Sequence, residues 1–461
     1  MCCIVPTYPT YPTYRLDLVR KISFRTGLLI VLAFPYIKAL PKKLHLFIKK
    51  AIIRGMNKAL QILKDRGFFQ QCTNIEGLSA LMDKEPVVFY IGTDPTGGSL
   101  HIGHLVPQFA LRHLREAGHI GIALIGGGTG RIGDPSGKTE MRKMLDYQQL
   151  DENVEKIRAQ LDKFIGFDGK TAFPANNKDW LADLNYIDFL RDIGSCFSVN
   201  KMLSFEAYKL RMETGLSFLE FNYQLLQSYD FLMLHTKHGC NLQIGGDDQW
   251  GNIVAGVDLV RRKTGDEVFG LTFPLITRSD GKKMGKSEKG ALFLNKEMTS
   301  VFDFFQYWRN VADADVRRFM LLFTFLPIDE IDRICAGNIN EAKERLAWEV
   351  TKEIHGKEEA DTALAGAKAA FGGGGDKSAM PTVELARSLI ESGMPVIDLF
   401  VQSGLCATKS DARRLIEQGG AFVAGNAVTD LKAVTAAAML DEAGELILRA
   451  GKKRFIRVVT R

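Results

Sequence analysis

From Met56 onward, apolar residues recur at intervals of three and four. MNKALQILKDRGFFQQ gathers its aliphatic side chains on one stripe, which predicts an amphipathic helix. The period then changes. PVVFYIG (86–92) and IGIALIGG (120–127) are β-rich runs separated by helical spacing over His104–Ala117, and NLQIGG (241–246) is a further short strand. Strands alternating with helices predict a parallel, doubly wound, Rossmann-like α/β sheet over 56–280. Residues 140–164, EMRKMLDYQQLDENVEKIRAQLDKF, predict a helix, and residues 300–370 carry helical spacing without a strand signal. A helical domain is therefore expected over 281–370, behind a glycine-flanked lysine loop. FGGGGDKSAMPT (371–382) is rich in turn formers and opens a flexible linker expected over 371–393. Residues 394–461 predict a small α+β unit, with a helix at Ser410–Gln418 and strands at 421–424, 446–449 and 455–459.

Residues 1–55 follow none of these patterns. PTYPTYPTY (6–14) places a proline at every third position, which favours extended chain. The apolar run Gly27–Ile37 is shorter than the roughly 20 residues of a membrane span, and Pro35 interrupts it. The basic, acid-poor composition fits an organelle transit peptide, and it fits equally a basic appendage or a start codon placed too early. The last two readings are preferred, because Met56 opens a properly patterned helix. Charge supports the division. The segment holds ten Lys/Arg against Asp17 alone, +9, so the rest carries −3 within the overall +6. Whole-chain charge thus says nothing about the folded body, and any argument for RNA rests on local basic clusters. The seven cysteines include no Cys-x-x-Cys pair, which opposes a zinc site or disulfide framework and suits a reducing, cytoplasmic setting.

The candidate chemistry begins at a strand–loop–helix corner, FYIGTDPTGGSLHIGHL (89–105). Helix N-termini offer N–H groups and a positive dipole end to phosphate. His101 and His104, three apart on one expected helical face, add imidazole donors, and Gly103 leaves backbone open to a flat base. Taken alone, the pair also fits two surface histidines. GTGRIG (128–133) mimics a dinucleotide fingerprint but lacks the second strand with its acid. DPSGKT (134–139) mimics a P-loop, but Ile132 occupies the place of its first glycine. What remains is a glycine-rich turn carrying Asp134, which suits an ammonium, and the cations Lys138 and Arg142, which suit phosphates. DGKKMGKSEKG (280–290) is a second glycine-flanked loop, in which Lys283 and Lys286 lie close enough to grip one polyphosphate.

Read together, HIGH at 101–104 and KMGKS at 283–287 resemble the paired signature of class I aminoacyl-tRNA synthetases, with Gly285 where the family has Ser. FYIGTDPTGGSLHIGHL, GDPSGK, EFNYQLLQSYDFL and LQIGGDDQWGNI extend the resemblance to the bacterial-type tyrosyl-tRNA synthetase family over residues 56–461. The resemblance implies that Tyr90 and Asp230 take a phenol hydroxyl, that Asp134, Tyr223 and Gln227 hold an α-ammonium, and that Gln243 belongs to the same tyrosine set. It places Gly92, Asp94, Thr96, Gly103 and Gly246 with ATP, together with His101 and His104, and sets Asp248 and Gln249 beside the ribose and α-phosphate. Lys138 and Arg142 would lie near pyrophosphate, with Lys283, Lys286 and Ser287 closing over it. Two departures stand out. Ile91 replaces a cysteine that touches the ribose in many members, and Asp247 replaces a serine.

The implied reaction joins tyrosine to tRNA(Tyr) through an adenylate. It uses ATP as substrate with accompanying Mg2+, in a homodimer with no protein-bound metal and no membrane association. The physical chemistry agrees: the substrate carboxylate is its own nucleophile, so positioning and charge stabilisation are the tools required. The C-terminal unit resembles a small RNA-binding module. Lys409, Arg413 and Arg414 lie on or beside its helix, and Lys452, Lys453, Arg454 and Arg457 cluster near the end. Tryptophanyl-tRNA synthetase is the nearest alternative, disfavoured because an indole N–H is a donor only and does not match Tyr90 with Asp230. A synthetase-derived RNA-binding protein without activity would not need intact ATP motifs. The basic extension gives a first prediction. A chain begun at Met56 should fold, dimerise and charge tRNA like the full chain at low and physiological salt; lower thermal stability or slower adenylate formation at either salt would show that the extension packs on the enzyme.

Overall fold

The computed structural model describes residues 56–136, 145–277, 279, 284, 286–287, 290–372, 380–451 and 454–461. The N-terminal extension, Lys138, Arg142, Lys283, Lys452 and Lys453 lie outside the described residues, and of Lys286 and Ser287 only the backbone is described. Residues Asn57–Arg461 form one compact unit.

The first helix, α1 (Lys58–Arg66), starts where the Asn57 side chain accepts from the Ala59 N–H, and it stops at Gly67 in the left-handed region. Then come β1 (Gln71–Cys72), α2 (Ile75–Lys84), β2 (Val88–Thr93), α3 (Leu105–Glu116), β3 (Ile120–Ile125), α4 (Tyr147–Ile165) and β4 (Ala172–Asn176). After short helices come α5 (Phe218–His238), β5 (Cys240–Gly246), α6 (Trp250–Thr264) and β6 (Phe269–Phe273). The strands form one sheet in the order β1-β6-β5-β2-β3-β4, parallel except for the antiparallel edge strand β1. This is the doubly wound α/β architecture expected from the alternation.

The periodicity had pointed to β2, β3 and β5 and not to β1, β4 or β6. Each omission has a physical reason. AFPAN (β4) contains Pro174, which lacks an N–H and is tolerated because β4 lies at the sheet edge. FGLTF (β6) is buried along its whole length, so it shows no alternation. β1 spans two residues. Of the helix expected over 140–164, residues 140–144 lie outside the described residues; the helix is observed over Tyr147–Ile165, and Asp146 Oδ1 accepts the Gln149 N–H at 2.8 Å.

Residues 301–372 are helical, as the spacing predicted: Val301–Arg309, Asp313–Phe323, Ile328–Ala336, Ile339–His355 and Lys357–Gly372. Arg66 ties the sheet unit to them. Its guanidinium donates to the carbonyls of Leu321, Thr324 and Leu326 at 3.1, 2.9 and 2.6 Å, where the helix Asp313–Phe323 ends and would leave acceptors unpaired. Beyond the two-stranded β7 (Lys286–Ser287) and β8 (Gly290–Ala291), the C-terminal unit contains β9 (Thr382–Leu385), β10 (Ala421–Val423), β11 (Asn426–Ala427), β12 (Glu445–Ala450) and β13 (Arg454–Thr460). They form a five-stranded sheet of order β11-β10-β12-β13-β9, with the helix Lys409–Glu417 packed against it. Its strand β9 falls inside the range expected as linker, 371–393, and pairs in parallel with β13. Ile390 lies in the same core, so residues 382–393 belong to the folded unit rather than to a spacer. Among the described residues no helix is long and apolar enough to cross a membrane.

Candidate active site

The sheet reverses direction between β2 and β5. From β2 the chain winds through β3 to β4, and from β5 it winds the other way to β6. At such a switch point the connections diverge and leave a crevice beyond the strands' carboxyl ends. A cleft of about 310 Å3 lies there. It is lined by Tyr90, Ile91, Gly92, Asp94 and Thr96 at the end of β2 and by Gln243, Gly246, Asp248 and Gln249 at the end of β5. Asp134 joins them from the loop after β3, Tyr223, Gln227 and Asp230 from α5, and Gly103 with His104 from the corner before α3. His101 is not among the lining residues.

The histidine corner differs from the expected helical pair. Residues Ile102–His104 form a 3-10 turn, and α3 proper begins at Leu105. His101 Nδ1 accepts the Gly103 N–H at 3.0 Å, and His104 Nδ1 accepts the His101 N–H at 3.1 Å. The two rings stack with centroids 3.9 Å apart. Because both Nδ1 atoms accept, each neutral imidazole carries its proton on Nε2, the tautomer that donates outward. Gly103 is required sterically, since a Cβ there would stand 2.7 Å from His101 Cε1. The same hypothetical Cβ would lie 4.0 Å from the Met284 carbonyl oxygen, so Met284 lies beside this corner. Hydrogen bonds from the Ile102 N–H to the Leu292 carbonyl, 3.1 Å, and from the Leu294 N–H to the Leu100 carbonyl, 2.8 Å, hold the following segment there. Lys286–Ser287 pairs with Gly290–Ala291 as a short hairpin.

At the closed end of the cleft, Asp230 is buried and accepts from Trp180 Nε1 at 2.8 Å and from Asn177 Nδ2 at 2.9 Å. Burial pushes its carboxyl up to about 8, against the two N–H donors, which favour the anion. Burial is the largest of these causes, and the neighbouring Asp94 carboxylate adds to it by disfavouring a second negative charge. The Tyr90 hydroxyl is buried with no hydrogen-bond partner among the described residues, as is Gln243 Oε1. Burial and the neighbouring Asp230 keep the Tyr90 phenol protonated well above its ordinary range.

A second set faces the middle of the cleft. Tyr223 Oη donates to Asp94 Oδ2 at 3.0 Å, and Thr129 Oγ1 donates to Asp94 Oδ1 at 2.8 Å. Asn177 Nδ2 bridges from Thr129 Oγ1, 2.9 Å, to Asp230. Asp134 accepts from the Ser136 N–H at 2.9 Å and from Gln249 Nε2 at 2.7 Å, and Gln249 Oε1 accepts from Gln227 Nε2 at 3.2 Å. Thr129, Asn177 and Trp180 were missed by sequence reasoning. Two of them follow β4, the strand whose signal Pro174 obscures. Asp247 is occupied by the fold: its Oδ1 accepts from Gln71 Nε2 at 2.8 Å and Thr272 Oγ1 at 3.0 Å, fastening the turn after β5 to β1 and β6. Ile91 is buried and supplies apolar wall rather than a hydrogen bond.

On the C-terminal unit, Arg413 and Arg414 are exposed on the helix Lys409–Glu417. Lys409 pairs with Asp398 at 2.7 Å, and Arg454 donates to the Leu405 carbonyl at 2.8 Å. Two of the expected RNA contacts thus also make bonds within the unit.

Residues 82–372 match the family model of class I tRNA synthetases (W and Y), and residues 375–458 match the SYY-like C-terminal domain of tyrosine–tRNA ligases. The tyrosine–tRNA ligase of Treponema denticola is 67% identical over 404 residues, covering 88% of this chain and 100% of that protein. That of Borrelia turicatae is 55% identical over 408 residues, with 88% and 100% covered. Among solved structures, a C-terminally truncated mitochondrial tyrosyl-tRNA synthetase of Aspergillus nidulans superposes with a TM-score of 0.62 at 31% identity, covering 70% of this chain and 97% of that one.

The raised Asp230 carboxyl has a consequence for stability. Between the ordinary carboxylate value and about 8, the folded chain holds a proton that the unfolded chain has released. Folding stability from this group therefore falls as pH rises through that window. Asp230→Asn removes the titration. The stability of the variant relative to the parent, measured without ligand by denaturant unfolding, should climb steadily from pH 5 to pH 8; a pH-independent difference would contradict the assignment.

Proposed function

The chain belongs to the tyrosine–tRNA ligases of the class I tRNA synthetases, and from that premise we propose how its cleft divides the work. The enzyme activates L-tyrosine with ATP and passes the tyrosyl group to tRNA. The observation that carries the division is the cleft's polarity. One end is closed by Tyr90, Asp230 and Gln243, two of which present unpartnered buried polar atoms. The other end is the histidine corner with Met284 beside it. A phenol is both donor and acceptor, so it suits an end holding a tyrosine hydroxyl and a largely protonated carboxyl.

In this reading Tyr90 and Asp230 bind the substrate hydroxyl, and Asp134, Tyr223 and Gln227 hold the ammonium. The tyrosine carboxylate then points toward the ATP side, lined by Thr96, Gly103 and Gly246, with Asp248 and Gln249 beside the ribose. A carboxylate oxygen attacks the α-phosphorus, the bond to the β-phosphate oxygen breaks, and pyrophosphate leaves with its electron pair. No stronger base is required. Catalysis comes from alignment and from donors at the phosphate oxygens as charge builds there. His104 Nε2–H is one such donor, and Lys138, Arg142, Lys283 and Lys286 are the cations assigned to the leaving group. In the second step a hydroxyl of the terminal ribose of tRNA attacks the carbonyl carbon, and AMP leaves. Magnesium is assigned to the phosphates of ATP, whose hard oxygens suit it. Arg413 and Arg414 offer exposed charge to tRNA backbone.

The homodimer assigned to this enzyme is supported by large apolar side chains exposed along the chain between β4 and the first residue of α5. Ile187, Val199, Met212 and Phe218 are 56–69% exposed on adjacent stretches of chain. The five described cysteines are free thiols, which is compatible with the cytoplasm.

Tyrosine-dependent ATP–pyrophosphate exchange tests the activity; exchange driven by tryptophan instead would overturn it. Asp230→Ala removes a hydrogen-bond partner and leaves the buried substrate hydroxyl unsatisfied, at a cost of ~1–3 kcal/mol. It should lower kcat/KM for tyrosine about 10- to 100-fold and erode the preference over phenylalanine, whereas an unchanged preference would remove Asp230 from the hydroxyl site. Phe218→Asp should convert the dimer to a monomer in sedimentation equilibrium, and a variant that still sediments as a dimer would place the interface elsewhere.

A further inference from the structure

A layer of amides lies behind the cleft. Asn252, in the first turn of α6, is 5% exposed and does not line the cleft itself. Its Nδ2 faces Gln227 Oε1 at 3.0 Å, Gln249 Oε1 at 3.2 Å and Ser136 Oγ at 3.4 Å, and its Oδ1 faces Gln224 Nε2 at 3.5 Å.

The direction of this network is set by one charge. The Asp134 carboxylate can only accept, so Gln249 must turn its Nε2 toward it, at 2.7 Å. The Gln249 oxygen then faces backward and takes N–H groups from Gln227 and Asn252. Gln227, having given its N–H, turns its own oxygen to Asn252. Asn252 is the group that meets both glutamine oxygens with a donor, and reversing any amide would set oxygen against oxygen or N–H against N–H.

We infer that Asn252 is a positioning residue for the tyrosine end of the cleft: it pins the oxygen of Gln227 and holds Gln249 turned toward Asp134, so that Gln227 Oε1 and the Asp134 carboxylate stand ready for the substrate's ammonium. The inference rests on the proposed placing of that ammonium at Asp134 and Gln227. A carbonyl oxygen has two lone pairs, so Gln227 Oε1 accepts from Asn252 and retains one for substrate. Without the Asn252 donor the glutamines lose the orientation that Asp134 and the incoming cation both need.

Asn252→Asp tests this with almost no change in shape. It swaps the donor for an acceptor facing two oxygens. Asn252→Ser keeps a donor on a shorter side chain and serves as the partial rescue. Both are measured by tyrosine-dependent ATP–pyrophosphate exchange, and 3-(4-hydroxyphenyl)propionate, which lacks the ammonium, is the competing probe. The expected result for Asn252→Asp is a rise in KM for tyrosine of about tenfold or more, with KM for ATP within about twofold. The advantage of tyrosine over the probe should shrink by about fivefold or more, and Asn252→Ser should fall between the two proteins. A KM for tyrosine within about twofold of the parent in both variants would overturn the inference. So would an equal weakening of tyrosine and probe, or a lowered melting temperature with unchanged constants. If Asn252→Asp does not fold, Asn252→Ser decides by the same criterion. Absence of tyrosine-dependent exchange in the parent protein would instead overturn the proposed function, and the inference with it.

Discussion

The cleft is held in shape by carboxylates that take their hydrogen bonds from neutral donors on different elements. Asp94, at the end of β2, is joined by Thr129 from the loop after β3 and by Tyr223 from α5. Asn177, from the end of β4, continues the line to Asp230, where Trp180 completes it. Four strand and helix ends are thus fastened by one run of polar contacts. Such a run tolerates little movement, because each buried polar group left without its partner costs ~1–3 kcal/mol. Gly126 shows how closely the parts approach: a Cβ there would stand 2.0 Å from Asp94 Oδ1.

These contacts separate binding from folding. A buried carboxyl raised to about 8 and an unpartnered tyrosine hydroxyl both weaken the empty fold. They are tolerable because the apolar shell around them is extensive, with Tyr90 set edge-on to Phe231 and Ile122, Leu124 and Leu234 buried in the same cluster. The cluster supplies stability that the polar end gives up, and the polar end supplies recognition that an apolar pocket lacks. The opposite end works by another rule. Backbone N–H groups fix the Nδ1 atoms of His101 and His104, so the tautomers of the pair are set by the fold before any substrate arrives.

Local pattern determined much of this protein. Alternating runs announced the parallel sheet, helical spacing announced residues 301–372, and the glycine-flanked histidines marked one side of the cleft. Of these, the sheet, the helices and the place of Gly103 and His104 at the cleft are seen in the fold; they are written in neighbouring residues, where spacing and turn chemistry act directly. The pattern did not announce β4 and β6, since a proline at a sheet edge and a strand buried on both faces each erase alternation. It also extended the linker over β9, a strand that exists by pairing with β13 from the far end of the chain.

What tertiary structure alone decided is the partnership between distant side chains. Asn177 and Trp180 carry no motif, and Asn252 sits in LQIGGDDQWGNI with no role that spacing could assign, yet they meet Asp230 and Gln227 from 25 to 53 residues away in sequence. Asp247, whose effect the sequence left open, fastens the turn after β5 to β1 and β6. The stacking of His101 on His104 replaced the side-by-side helical pair that their spacing implied. The physical reason is common to all of these. Spacing along a chain states which residues can share a face, whereas the direction of a hydrogen bond and the protonation of a buried acid depend on what the fold brings against them.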